Sequence, residues 1–151
     1  MRAVVQRVHY AEVKVEDQVE GSIGMGLLVF LGIEKLDTEK DLEWLAAKIP
    51  LIRCFEDSEG KMNRSLLDIG GEAMVISQFT LYGSLRKGTR PSFNRAAEPE
   101  TAIPMYEKFL LVLEQQLGRP VARGVFGAEM HIRADNDGPV TLVLDTRNRE
   151  V

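Results

Sequence analysis

Two short runs limit what this chain can fold into. In 27-LLVFLGI-33, and again at the start of 74-MVISQFTLYG-83, apolar side chains follow one another without alternation. A strand of that kind has two apolar faces and needs cover on both. No unbroken apolar run is longer than Leu27 to Leu31, which is far shorter than the ~18 residues that argue for a membrane-spanning helix. It reads as a buried strand. Ala3-Val4-Val5 and the alternating stretch Ala11 to Val15 read as two further strands. Gly21, Gly24 and Gly26 punctuate a turn region. No helix follows them at once, so hairpin turns fit better than a phosphate-binding loop.

Two helices complete the pattern. The first spans about Thr38 to Ile49, with Thr38 as N-cap and Asp41 three residues on. Leu42, Leu45, Ala46 and Ile49 form its apolar face. The second spans roughly Ile103 to Leu117, with Pro104 in its first turn and Gly118 as its stop. Between them lie a strand around Leu51 to Phe55, a turn at 57-DSEGK-61 and a loop over 63-NRSLLDIGGE-72. The tail, 128-AEMHIRADNDGPVTLVLDT-146, reads as two strands broken at Asn136-Asp137-Gly138-Pro139. The expected fold is α/β: one domain over residues 1–151, with a mixed or barrel-like β-sheet and two main helices.

Composition narrows the function classes. A net charge of −4 argues against a surface coated for nucleic acid, while leaving room for one local basic patch. Cys54 is the single cysteine, so no internal disulfide forms and a cytoplasmic location is expected. The start, MRAVVQRVHY, lacks the apolar core of a signal peptide. His9 and His131 are the only histidines, and neither has metal-ligand spacing to Cys54. No metal and no cofactor is expected. There is no G-x-S-x-G elbow either.

Three segments could carry chemistry. Ser77, Gln78, Phe79 and Thr80 put polar groups at the end of an apolar strand. Either the hydroxyls and amide bond to backbone, or they floor a pocket whose donors stabilise a developing oxyanion. Thr80 as a nucleophile would need a base, and the sequence offers no obvious one. The stretch 84-SLRKGTRPSFNR-95 carries Arg86, Lys87, Arg90 and Arg95 without an acid between them. It is either a solvated loop or a phosphate-binding one, with Phe93 as a stacking face. In 136-NDGPVT-141 the turn signal is strong, and Gly138-Pro139 is a bond that can be cis at low cost, about 0.5–1 kcal/mol.

Together these segments carry a resemblance. The motifs 3-AVVQRV-8, 21-GSIGMGLLVFLGIEK-35, 60-GKMNRS-65, 77-SQFTL-81, 89-TRPSF-93 and 136-NDGPVT-141 resemble those of the D-aminoacyl-tRNA deacylases, the D-Tyr-tRNA(Tyr) deacylase family. The match covers essentially the whole chain. It implies a closed, barrel-like homodimer with its active sites at the interface. It implies hydrolysis of the ester that joins a D-amino acid, or glycine, to the 3′ end of tRNA. The family's Gly-cis-Pro element falls on Gly138 and Pro139, reaching into the partner's pocket to reject L side chains. Arg7 matches the arginine that helps fix it, and Ser77 to Thr80 match the pocket segment. The family's other mechanistic proposal, assistance by the 2′-hydroxyl of the terminal adenosine, fits the missing base. Arg86, Lys87 and Arg90 are then expected on tRNA phosphates. Two other readings remain open: a non-catalytic binder of the tRNA 3′ end, and a small-ester hydrolase using Thr80.

Overall fold

The computed structural model describes residues 1–150. Its centre is the pair foreseen from the apolar runs. Strand β3 (Gly26–Gly32) and strand β6 (Glu72–Ser77) lie parallel, with Leu27 opposite Ala73 and Leu31 opposite Ser77. Strand β7 (Ala122–Arg123) adds to β6, also parallel. Strand β1 (Arg2–Val15) runs antiparallel to β3 over its first half and to β2 (Gln18–Ile23) over its second. Strand β8 (His131–Asp145) follows the other edge of β1 along nearly its whole length. A two-stranded ribbon, β4 (Phe55–Glu56) with β5 (Met62–Arg64), stands apart.

The two faces of β3 and β6 are covered in different ways. Leu27, Val29, Leu31, Ala73 and Val75 point toward helices α1 (Glu39–Lys48) and α3 (Pro99–Leu117), in a core that includes Leu45, Phe109 and Leu113. Leu28, Met74 and Ile76 point the other way and meet Val8, Ala11, Val13 and Ile23. The second half of β1, with β2, therefore curls back over the sheet that its first half builds. The register shifts twice there, between Gln6 and Val8 and between Val8 and Tyr10 on β1, and the first shift passes over Asp137–Val140 on β8. Closure is nearly complete, because a Cβ at Gly21 on β2 would lie 3.0 Å from the Arg123 carbonyl on β7. The result is a mixed, barrel-like sheet in an α/β fold. No helix among the described residues is long and apolar enough to cross a membrane.

Several elements differ from expectation. The stretches read as two strands near the N-terminus form one continuous β1. The tail is likewise one strand, with the Asn-Asp-Gly-Pro signal absorbed as a bulge rather than a break. Helix α3 starts at Pro99, not near Ile103, because Pro99 takes the first helical position and buried Ala102 extends the stripe back by a turn. The loop over 63–72 contains a short helix, α2 (Leu66–Ile69), capped by Ser65 and Asp68 and ended by Gly70 at φ 62°. Of the expected strand at Leu51 to Phe55, Leu51 closes a 3-10 turn over Ile49–Leu51 that holds Pro50, residues 52–54 are irregular, and only Phe55 is strand, as the start of β4.

The cap of α1 is as expected. Both the Thr38 N–H and hydroxyl donate to Asp41 Oδ2, at 2.8 and 2.7 Å. Burial alone would raise the Asp41 carboxyl, but these two bonds and one from Thr146 pull it down to about 2. A carboxyl held below its unfolded value adds stability above that value and loses it as pH falls. The cap should therefore be intact above about pH 4 and fail between about pH 4 and pH 2. Asp41→Asn should lose roughly 1 kcal/mol at neutral pH and show a shallower acid dependence over that range, read by urea titration followed by circular dichroism.

Candidate active site

Strand β6 ends at Ser77, and the ladder runs one step further, where the Gln78 N–H donates to the Leu31 carbonyl at 2.7 Å. The chain then tightens into a 3-10 turn over Phe79–Tyr82. In that turn the Leu81 N–H reaches the Gln78 carbonyl and the Gly83 N–H reaches that of Thr80. The first N–H groups of any helical turn lack an internal acceptor. Those of Phe79 and Thr80 find no other protein acceptor among the described residues.

A cleft of about 540 Å³ opens beside this turn, at the carboxyl ends of β3 and β6. That is where parallel strands commonly present ligand sites, and the size suits a small-molecule group. Leu31, Ile33 and Ile76 form its apolar floor, and Ser77 and Gln78 supply polar atoms. Phe79 and Phe93 stand edge to face at one wall, 5.1 Å between ring centres. Phe126 and Met130 stand in the lining as well. Glu98 is the one ionisable side chain of the lining, and it pairs with Lys35 at 3.2 Å. Thr80 is exposed beside the cleft, with its hydroxyl taking a hydrogen bond from the Gln78 amide. No base touches it.

Arg7, Gly138 and Pro139 form a second constellation. Asp137 to Val140 bulge from β8 opposite Arg7. The Gly138-Pro139 peptide is cis, and Gly138 has φ +112°. A Cβ on Gly138 would fall 2.9 Å from Val140 Cγ2 and 3.1 Å from Arg7 Nη2, so the site requires glycine. Arg7 is buried. It donates from Nη1 to the Cys54 carbonyl at 2.6 Å, and its Nε lies 2.8 Å from Asp137 Oδ2 without straight hydrogen-bond geometry. His9 approaches the other oxygen of Asp137 at 3.3 Å.

These two constellations do not meet within the chain. Arg7 is level with Leu27, whereas Ser77 is level with Leu31. Those levels are about 13 Å apart along the sheet, at roughly 3.3 Å per residue. Gly138 and Pro139 lie on the exposed side of β8, outside the lining of the cleft.

Comparison with known proteins decides the family. The profile for "D-Tyr-tRNA(Tyr) deacylase" matches residues 4–145. The chain belongs to the D-Tyr-tRNA(Tyr) deacylase family. It is 57% identical over 150 residues to a D-aminoacyl-tRNA deacylase of Opitutus terrae, covering 99% of this chain and all of that one. It is 53% identical, with the same coverage, to a D-aminoacyl-tRNA deacylase of Parabacteroides distasonis. A solved structure named "c-Myc DNA Unwinding Element Binding Protein" superposes with a TM-score of 0.91 at 42% identity, covering 96% of this chain and 98% of that one.

In this member of the deacylase family, the expected basic residues gather around a hollow of their own. Arg86, Lys87 and Arg90 line a depression of about 290 Å³ with Ser84, Ser92, Asn94 and Arg95. Its neck is the paired bridge between Ser84 and Ser92. Arg95 is committed elsewhere, to the buried carboxylate of Glu34. Some of the lining was not legible in the sequence. Ala96 to Pro99, Phe126 and Gly127 sit in the cleft wall, yet they carry no motif and read only as connecting chain. Cys54 is buried, and burial pushes its thiol up, which suits a structural role.

Arg7→Met would leave the Cys54 carbonyl and Asp137 without their cation. The expected loss is about 2 kcal/mol of stability in urea unfolding, the range for hydrogen bonds to charged groups. A change within error of zero would mean that Arg7 does not fix the bulge.

Proposed function

We propose that this chain hydrolyses D-aminoacyl-tRNA to a free D-amino acid and tRNA in the cytoplasm, a proofreading step in translation. Membership of the deacylase family supports the reaction class. The observation that carries the reading is the cleft at the ends of β3 and β6, flanked by the unpaired N–H groups of Phe79 and Thr80. Such donors stabilise the tetrahedral oxyanion when water adds to an ester carbonyl. The bond to the 3′ oxygen then breaks, and that oxygen leaves as a hydroxyl.

Thr80 has no base beside it, so its side chain is a poor nucleophile. The 2′-hydroxyl of the terminal adenosine assists instead, and the protein supplies orientation and electrostatics. The active unit is a homodimer with its sites at the interface. Among the described residues β8 pairs with β1 alone and keeps its other edge open, with Leu142 and Val143 exposed. Long open edges are a liability unless something covers them. A second copy would bring its Gly138 and Pro139 over the cleft, where their carbonyls hold the substrate's α-ammonium. An L side chain then clashes with backbone, and specificity comes from rejection. Glycine has no side chain to reject, so glycine mischarged on tRNA(Ala) is also cleaved.

Release of amino acid from D-Tyr-tRNA and L-Tyr-tRNA, compared side by side in chelator, tests this. Cleavage of the D ester alone is expected. Cleavage of both would make the protein a general esterase, and binding without cleavage would make it a module for the tRNA end. Thr80→Ala should keep most of the activity; complete loss in a folded variant would restore the nucleophile reading.

Arg86, Lys87 and Arg90 are the cations of the basic hollow left free by the Arg95–Glu34 pair. If they hold three phosphates of the tRNA acceptor end, log affinity should fall against log salt with a slope of roughly −2, at about −0.7 per phosphate. Replacing Lys87 with Gln should flatten it by about 0.7. A parent slope near zero would remove the loop from the tRNA interface.

A further inference from the structure

The turn that presents the Phe79 and Thr80 N–H groups has little of its own to hold it. Bonds of the i to i+3 kind have poor geometry and rarely extend beyond a few residues. It rests on Gly32, where an added Cβ would come within 3.1 Å of both the Gln78 carbonyl and Leu81 Cβ, and 3.3 Å from Tyr82 Cδ2. Directly across the ladder from Gly32 stands Arg2. Its Nη1 donates to the Leu81 carbonyl at 2.8 Å, while Nε and Nη2 both donate to Asp145 Oδ2, at 3.0 and 2.8 Å. The same guanidinium lies 5.0 Å from the ring centre of Tyr82.

Tyr82 explains why a cation is needed there. It is buried, and its hydroxyl has no hydrogen-bond partner among the described residues. The ring is therefore held through its face. Arg95, itself seated on Glu34, supplies a second guanidinium at 5.5 Å. Guanidinium groups over an aromatic face attract it, more so away from water.

We infer that Arg2 is a positioning residue for ester hydrolysis: by strapping Leu81 and Tyr82 to β1 it sets the angle at which the Phe79 and Thr80 N–H groups meet the oxyanion. This rests on the deacylase reading of the cleft. Arg2 lines neither the cleft nor the basic hollow, so it acts through the turn and not on substrate.

Arg2→Lys tests it. Lysine keeps the charge but cannot bridge a carbonyl and a carboxylate with one rigid fork. Single-turnover deacylation of D-Tyr-tRNA should slow by about tenfold to a hundredfold, because oxyanion donors act only when accurately placed, while KM stays within about threefold. In amide NMR spectra of the free protein, the Phe79 and Thr80 signals should move while those of Phe109 and Leu113, in α3, stay. If Arg2→Lys fails to fold, Asp145→Asn decides. It keeps Arg2 but removes the charge that seats it, and it should give the same pattern at smaller amplitude. A folded variant with parental rate, or with unmoved Phe79 and Thr80 signals, overturns the proposal. The amide readout needs no substrate. An inactive parent would therefore count against the deacylase reading alone, and the strap would still be judged.

Discussion

The structure depends on a pair of parallel strands that water must not reach from either side. β3 and β6 are apolar on consecutive positions, and each face demands its own cover. Helices α1 and α3 answer one face, and β1 folded back on itself answers the other. Neither cover alone would suffice. A helix layer on one side would leave Leu28, Met74 and Ile76 in water, at about 1.5–3 kcal/mol for each side chain. The bend in β1 is thus a requirement of the centre, and the bulge in β8 opposite Arg7 follows from the bend.

The same pair fixes where chemistry can happen. Parallel strands end together, and here both ends are polar or small: Gly32 after Leu31 on β3, and Ser77 and Gln78 on β6. The turn that follows can sit on Gly32 because no side chain stands there. Charged groups then hold what the apolar core cannot. Arg2 joins the turn to β1 and Asp145, and Glu34 ties down Arg95 at the base of the basic loop. In both pairs a carboxylate nearly out of water meets a partly exposed arginine, beside one exposed turn.

Much of this was legible. The runs 27–33 and 74–76 marked the central strands, and the Thr38 and Asp41 pair marked the start of α1. The S-x-x-D at Ser65 is the local signal for α2, inside a stretch that otherwise reads as loop. Asn136 to Pro139 form a bulge and not a break for a physical reason. A turn signal describes local backbone preference, whereas the partner strand decides whether pairing resumes, and β1 carries it on from Gln6 through Arg2.

Local sequence by itself determined the apolar strands, the amphipathic faces of the helices, the polar end of β6 and the cluster of cations after it. Those depend on neighbours within a few residues, through periodicity and side-chain chemistry. Only the tertiary structure decided that Phe126 and Met130 line the same cleft as Phe79, that Arg2 reaches Leu81, and that the Arg7 and Gly138 constellation lies a good part of a strand's length away from the cleft. These are meetings between residues distant in sequence. They arise from how a sheet with two buried faces closes on itself, and no short window of sequence contains that closure.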